Sequence, residues 1–301
     1  MNIYSHAEAN TRKTWLYLGF FLVLVIALGW FASYALGSQI ILWIAVVLSI
    51  AMSVGSYWYS DKIALSLAKA KPIEKKDSPE LYRIVENLSI TAGLAMPRLY
   101  IIQDPQPNAF ATGRDAKHAV VAVTTGLLKR LERVELEGVL AHELSHIGNK
   151  DMLISTIVVV LVGVVVLLAD LFFRMTFWGG LGGRDNRGGG QAQLVLFLVA
   201  LAFLIIAPLF AQLMKLAISR KRELLADASG ALLTRHPEGL ARALEKISQD
   251  PHQLKSANDA MAHLYIASPF RGKEKKSFIH KMFLTHPAPE ERIAALRGMK
   301  V

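Results

Sequence analysis

The sequence predicts a mainly α protein: four transmembrane helices joined to a cytoplasmic α+β domain that has a small β-sheet and is assembled from two chain segments. Three observations lead there. The apolar residues, 53% of 301, gather in four long runs. The segments between those runs have the mixed composition of soluble sequence. Short stretches rich in Val, Ile and Tyr lie among helical ones in the middle segment.

The runs cover 15–36, 40–58, 152–173 and 194–216, with Asp170 inside the third and Pro208 and Lys215 inside the fourth. As a helix each is about 30 Å long, the thickness of a bilayer core. Arg12 and Lys13 before the first run resemble the start of a signal peptide. That run is longer than the roughly 7–15 residues of a signal core, and a second follows at once, so the two read as a retained hairpin. The domain plan is then a transmembrane hairpin over 1–59, a cytoplasmic segment over 60–151, a second hairpin over 152–216 and a second cytoplasmic segment over 217–301.

The net charge is +10. Its cations flank the apolar runs instead of clustering with aromatics, so the expected partner is the lipid bilayer and not nucleic acid. Lys62, Lys69, Lys71, Lys75 and Lys76 follow the second run and Arg220, Lys221 and Arg222 follow the fourth. By the positive-inside rule both termini and both soluble segments face the cytoplasm, although Arg174, Arg184 and Arg187 between the last two runs point the other way. The absence of cysteine excludes disulfides and thiolate-bound metals. The Gly-rich stretch 179–190 lacks the ending of a phosphate loop and carries no assigned chemistry.

In the soluble segments, 78–93 reads as a helix with Ser78 as cap and Pro79 in its first turn. Stretches 98–103 and 118–125 read as strands. The tail reads as mostly helical.

His142-Glu143-Leu144-Ser145-His146 is the pattern that carries chemistry. On a helix, positions i and i+4 share a face, so both imidazoles can reach one zinc ion. Glu143 is then placed to take a proton from a water activated at the metal. Glu132, Glu135 and Glu137 put acids in the first turns of that helix, and Val139, Leu140, Leu144 and Ile147 form its apolar face. A metal transporter would hold its ligands near the bilayer midplane, whereas this motif precedes the third run. An inactive scaffold that keeps its metal for stability would have no use for a complete pairing of base and ligands.

A catalytic zinc needs a third protein ligand. Glu223 and Asp227, again i and i+4, are the candidates: one to bind metal, the other to orient an imidazole. Read locally they are ordinary acids on a charged helix. Topology favours the sharper reading. His146 lies six residues before the third run and Glu223 seven after the fourth. A hairpin brings both to one side, each about 9–11 Å beyond the bilayer.

These segments resemble the HtpX family of membrane zinc metalloproteases, relatives of the CAAX prenyl proteases. The likeness also rests on Asn108-Ala109-Phe110-Ala111-Thr112-Gly113 and on Thr285-His286-Pro287 with Arg292, in order along almost the whole chain. It implies one zinc per chain on His142, His146 and Glu223, with Glu143 as general base and Asp227 orienting a ligand. It further implies that Asn108, Ala109 and Phe110 hold the substrate backbone and that His286 stabilises the oxyanion. Local sequence alone would make Asn108 a turn residue and His286 a solvated loop histidine. The remaining histidines, including His118 and His263, read as structural or surface residues. The implied activity is endopeptidase cleavage of misfolded or damaged membrane proteins and unfolded polypeptides, at the bacterial inner membrane and under stress.

Overall fold

The computed structural model describes residues 3–149, 151–157, 220–256, 261–270 and 287–299, with isolated positions between 160 and 205. Most of the third and fourth apolar runs, the Gly-rich stretch 179–190 and His286 lie outside the described residues.

Helices α1 (Ile3–Leu36) and α2 (Gln39–Leu67) pack as a hairpin turned at Gly37 and Ser38. Each contains a stretch long and apolar enough to cross a membrane, Thr11–Tyr34 and Gln39–Leu67, and of an apolar 18-residue window in each only 28% and 17% is buried. The core helix of a soluble protein would be mostly buried. These helices instead expose Trp15, Leu16, Val23, Ile44 and Val47, as lipid-facing helices do. Aromatic residues mark two levels on the hairpin. Trp15 stacks on Tyr57, which meets Trp58 edge-on, while Trp30 stacks on Tyr34 near the turn. From Trp15 to Tyr34 the helix rises roughly 28 Å, close to a hydrocarbon core.

Helix α2 does not stop at Trp58, where its apolar run ends, but continues to Leu67. Its last turns bury Ala64 and Leu65 beside Ala68 against a four-stranded sheet. The strands are β1 (Lys71–Pro72), β2 (Arg98–Ile102), β3 (Ala109–Thr112) and β4 (Val120–Thr124), in the order β1-β2-β4-β3. The β2–β4 pair is parallel and the other two are antiparallel. Every residue of β4 is buried, as expected for a continuous Val-rich run covered on both faces. One face carries Phe110, Val120 and Ala122 toward the end of α2, Leu254 and Tyr265. The other carries Leu99, Val121 and Val123 into the main core.

That core is closed by helices. α3 (Pro79–Ala92) starts at Pro79 and ends at Gly93, although the Ser78 side chain makes no capping hydrogen bond. α4 (Thr125–Arg130) is capped by the Thr124 hydroxyl, which accepts from Leu127 N. α5 (Arg133–Gly148) carries the His-Glu motif and buries Val139, Leu140, Leu144 and Ile147. At its start the Glu132 N–H donates to the Glu135 carboxylate at 2.9 Å, and Lys246 closes on the same carboxylate at 2.8 Å. α6 (Arg220–Thr234) and α7 (Pro237–Ser248) pack on α5, and α8 (Pro289–Arg297) packs on α6 and α7. The described chain is thus mainly helical with a small mixed sheet and two candidate membrane spans.

Candidate metal centre

Helix α5 presents His142 and His146 one turn apart, with their Nε2 atoms 3.2 Å from each other. Helix α6 presents Glu223 to both: its carboxylate oxygens lie 3.6 Å from His146 Nε2 and 4.0 Å from His142 Nε2. One atom from each of the three residues falls within 4.8 Å of the others. Nitrogen and oxygen ligands about 2.0–2.1 Å from a tetrahedral ion sit roughly 3.3–3.4 Å apart, so this donor set fits zinc with small adjustments.

The helices come this close because Gly230 lies where α6 crosses α5. A Cβ there would stand 2.9 Å from His142 N and 3.1 Å from its Cα. Any larger residue would push Glu223 and Asp227 away from the histidines.

Each imidazole is held from behind by a carboxylate. Asp227 lies 2.9 Å from His142 Nδ1. Arg292, fully buried on α8, grips that carboxylate with two bonds of 2.8 and 2.7 Å and donates a third, 2.9 Å, to the Ile266 carbonyl. Burial alone would raise the Asp227 pKa, but the guanidinium and the imidazole outweigh it and hold it at about 2. Burial keeps His142 below its ordinary value, against the pull of Asp227, which leaves Nε2 as a lone-pair donor. Behind His146 stands Asp151, 3.3 Å from Nδ1 and held in turn by Arg222 at 3.2 Å. There burial is outweighed by the Asp151 hydrogen bond and by the charges of Glu223, Asp151 and Glu143, and the pKa rises to about 9.

Glu143 is buried beside the cluster, and burial pushes its carboxyl up to about 7. The Ala111 N–H of β3 donates to it. The cavity these groups line measures about 30 Å³, room for only one or two waters. His263 also lines it, where sequence reasoning assigned a structural or surface role.

The other expected site residues surround β3. Asn108 is fully buried and its side-chain amide is committed within the chain. Nδ2 donates to the Ala267 carbonyl at 2.9 Å and to Gln106 at 3.3 Å, while Oδ1 accepts from Ala109 N at 3.1 Å. Phe110 packs edge-on against Tyr265 in the core. β3 is an edge strand, but three of the four outward backbone groups of Ala109 and Ala111 are already used: Ala109 N by Asn108, Ala109 O by Ile266 N and Ala111 N by Glu143.

Asp151 is the functional candidate that the sequence analysis missed, because beside Lys150 it looked like a spacer before an apolar run. Spacing gave no signal: five residues after His146 is outside the i, i+3 and i+4 positions that share a helix face, and α5 ends at Gly148, before Asp151.

Comparison with known proteins agrees with this geometry. Residues 75–300 match Peptidase family M48. A protease HtpX homolog of Syntrophobacter fumaroxidans is 47% identical over 273 residues, covering 88% of this chain and 92% of that protein. One from Tropheryma whipplei is 44% identical over 99% of this chain and 98% of its own length, and one from Pyrococcus furiosus 45% identical over 95% and 94%. Among solved structures, S. mikatae Ste24p shares the fold with a TM-score of 0.51 at 19% identity. That match covers 94% of this chain and 66% of the longer Ste24p chain. With its His-His-Glu cluster and the match over 75–300, the chain belongs to peptidase family M48 and is a metalloprotease.

Proposed function

We propose that the chain is an integral-membrane zinc endopeptidase that cleaves misfolded or damaged membrane proteins, with His142, His146 and Glu223 as the metal ligands and Glu143 as the general base. The observation that carries this reading is the convergence of three donor atoms, within 4.8 Å, from helices α5 and α6. A bound zinc ion would supply Lewis acidity toward the scissile carbonyl and the attacking water. Glu143 takes the proton of that water and returns it to the leaving amine. Its carboxyl, raised to about 7 by burial, is suited to both steps near neutral pH. Asp227 and Asp151 fix the tautomer and aim of the two imidazoles.

An extended substrate pairs with the outer edge of β3 from the Ala111 carbonyl onward, because Asn108 and Phe110 hold the strand from behind and Ala109 is already engaged. Backbone pairing suits cleavage with little preference for sequence. His286 is the proposed oxyanion donor; the next residue, Pro287, is buried and leads into the helix that carries Arg292. The Lys and Arg distribution supports a cytoplasmic site and cytoplasmic termini at the inner membrane, and the apolar runs over 152–173 and 194–216 complete the four spans.

The test is cleavage of an unfolded membrane substrate by the full chain in detergent, with chelation and zinc add-back, for wild type and Glu143→Gln. The variant is expected to retain about one zinc per chain and lose activity by a factor of about 100 or more. Near-normal turnover would remove the base assignment.

A further inference from the structure

Helix α2 leaves the aromatic level of the hairpin at Trp58 and enters a cluster of cations. A groove of about 600 Å³ opens there, lined by Lys62 of α2, Arg98 of β2, and Arg114 and Lys117 of the β3–β4 connection. Two carboxylates accompany them. Asp61 pairs with Arg98 at 2.8 Å, and Asp115 bonds Arg114 at 3.3 Å and His118 at 2.7 Å. An excess of two positive charges remains. Among the described residues neither Lys62 nor Lys117 has a carboxylate within salt-bridge distance.

The cations are also set against aromatic faces. The Arg114 guanidinium lies 4.4 Å from the Trp58 ring and Lys62 Nζ 5.1 Å from the Tyr59 ring. The turn that sends Arg114 back to Trp58 requires Gly113, which has φ +143 and would put a Cβ 2.6 Å from the His118 carbonyl. At the opposite end of the hairpin, the groove beside Trp30, Tyr34 and Trp43 has no Lys, Arg, His, Asp or Glu in its lining. The two ends therefore differ in charge while sharing the aromatic collar.

We infer that the groove formed by Lys62, Arg98, Arg114 and Lys117 beneath Trp58 is a binding site for the phosphodiester headgroup of an anionic phospholipid. Its depth is that of a headgroup: immediately past the Trp15, Tyr57 and Trp58 level, on the side of the sheet. A phosphodiester supplies the single negative charge and acceptor oxygens that the unpaired lysines and Arg114 can bind, while its acyl chains lie along the exposed Val54 face of α2. Such a lipid ties the β3–β4 connection to α2. β3 also carries Ala111, whose N–H holds Glu143, so one strand joins the headgroup site to the metal centre.

The test uses the full chain in nonionic detergent, titrated with dioctanoyl phosphatidylglycerol and followed by native mass spectrometry of the one-to-one adduct. Dioctanoyl phosphatidylcholine and inorganic phosphate are the comparison probes. Wild type is expected to hold phosphatidylglycerol at least about tenfold more tightly than phosphatidylcholine, and Arg114→Gln/Lys117→Gln to lose about tenfold or more of that binding. Lys62→Gln, on a different element, should lose about fivefold, and it decides the question if the double variant fails to fold. Unchanged phosphatidylglycerol binding in the folded variants overturns the site. Displacement of the lipid by an equal concentration of inorganic phosphate overturns the lipid and leaves a site for the free anion.

Discussion

Asp151 lies 3.3 Å from Nδ1 of His146, the position that Asp227 occupies at 2.9 Å behind His142. The two histidines of α5 are therefore braced separately. Asp227 comes from α6 and is locked by Arg292, whereas Asp151 follows α5 itself and is locked by Arg222 of α6. Both braces draw on α6, so the helix that carries Glu223 also fixes the supports of the two histidines.

Asp151→Asn removes the charge behind His146 while keeping the shape of the side chain. Carboxylates that orient metal-bound histidines are worth roughly 10–100-fold in metal affinity. The variant is expected to lose zinc to a chromogenic chelator at about that much lower chelator strength, with an unchanged circular dichroism spectrum. Wild-type affinity in the folded variant would reduce Asp151 to an anchor for Arg222.

Gly230→Ala tests the approach of the two helices. The added methyl would meet His142 N at 2.9 Å, so α6 must move by a few tenths of an ångström or more. Strain of about 1–3 kcal/mol and a lower zinc content are expected, read by thermal unfolding and metal analysis. Gly148→Ala is the control, since its Cβ would meet only a Leu94 methyl at 4.0 Å. Equal behaviour of the two variants would show that α6 has slack at this crossing.

The elements that local pattern specifies were legible in the sequence. Pro79 and Gly93 bracket α3, an Ile- and Tyr-rich run marks β2 and a Val-rich run marks β4. β3 was harder, because Ala109-Phe110-Ala111-Thr112 has no alternation and is buried throughout. Its strand character comes from pairing with β4 and from the Asn108 clamp, neither of which is a local signal. The second apolar run was read as ending at Trp58, which sets no end for the helix; α2 continues to Leu67 because Ala64 and Leu65 find the sheet. In the site, the His142 and His146 pairing is written in a five-residue spacing. Glu223 needed the hairpin argument, and His263 reaches the cleft through a loop with no periodicity to reveal it.

Acid should weaken the Asp227 brace in a defined window. Its folded pKa of about 2 is below the ordinary 3.8, so the unfolded chain takes up the proton first as pH falls. The resulting stability, about 2 kcal/mol, is fully present above pH 4 and is lost as pH falls from about 4 to about 2. With chelator present, thermal unfolding of wild type should fall more steeply across that window than that of Asp227→Asn, which has no carboxyl to titrate there. Parallel curves would mean that Arg292 does not hold the carboxylate in its charged form.

Asn108→Ala separates a clamp from a substrate contact. The amide joins Ala109, Gln106 and Ala267, so its removal strands several buried backbone groups, each costing about 1–3 kcal/mol. β3 would loosen from the 265–267 segment, and the Ala111 N–H that holds Glu143 would move with it. The expected result is a clearly lowered unfolding temperature and reduced kcat, with KM for an extended peptide unchanged in assays well below the transition. A normal unfolding temperature with a raised KM would instead place the Asn108 amide on the substrate, and would require the bond to Ala267 to open when peptide binds.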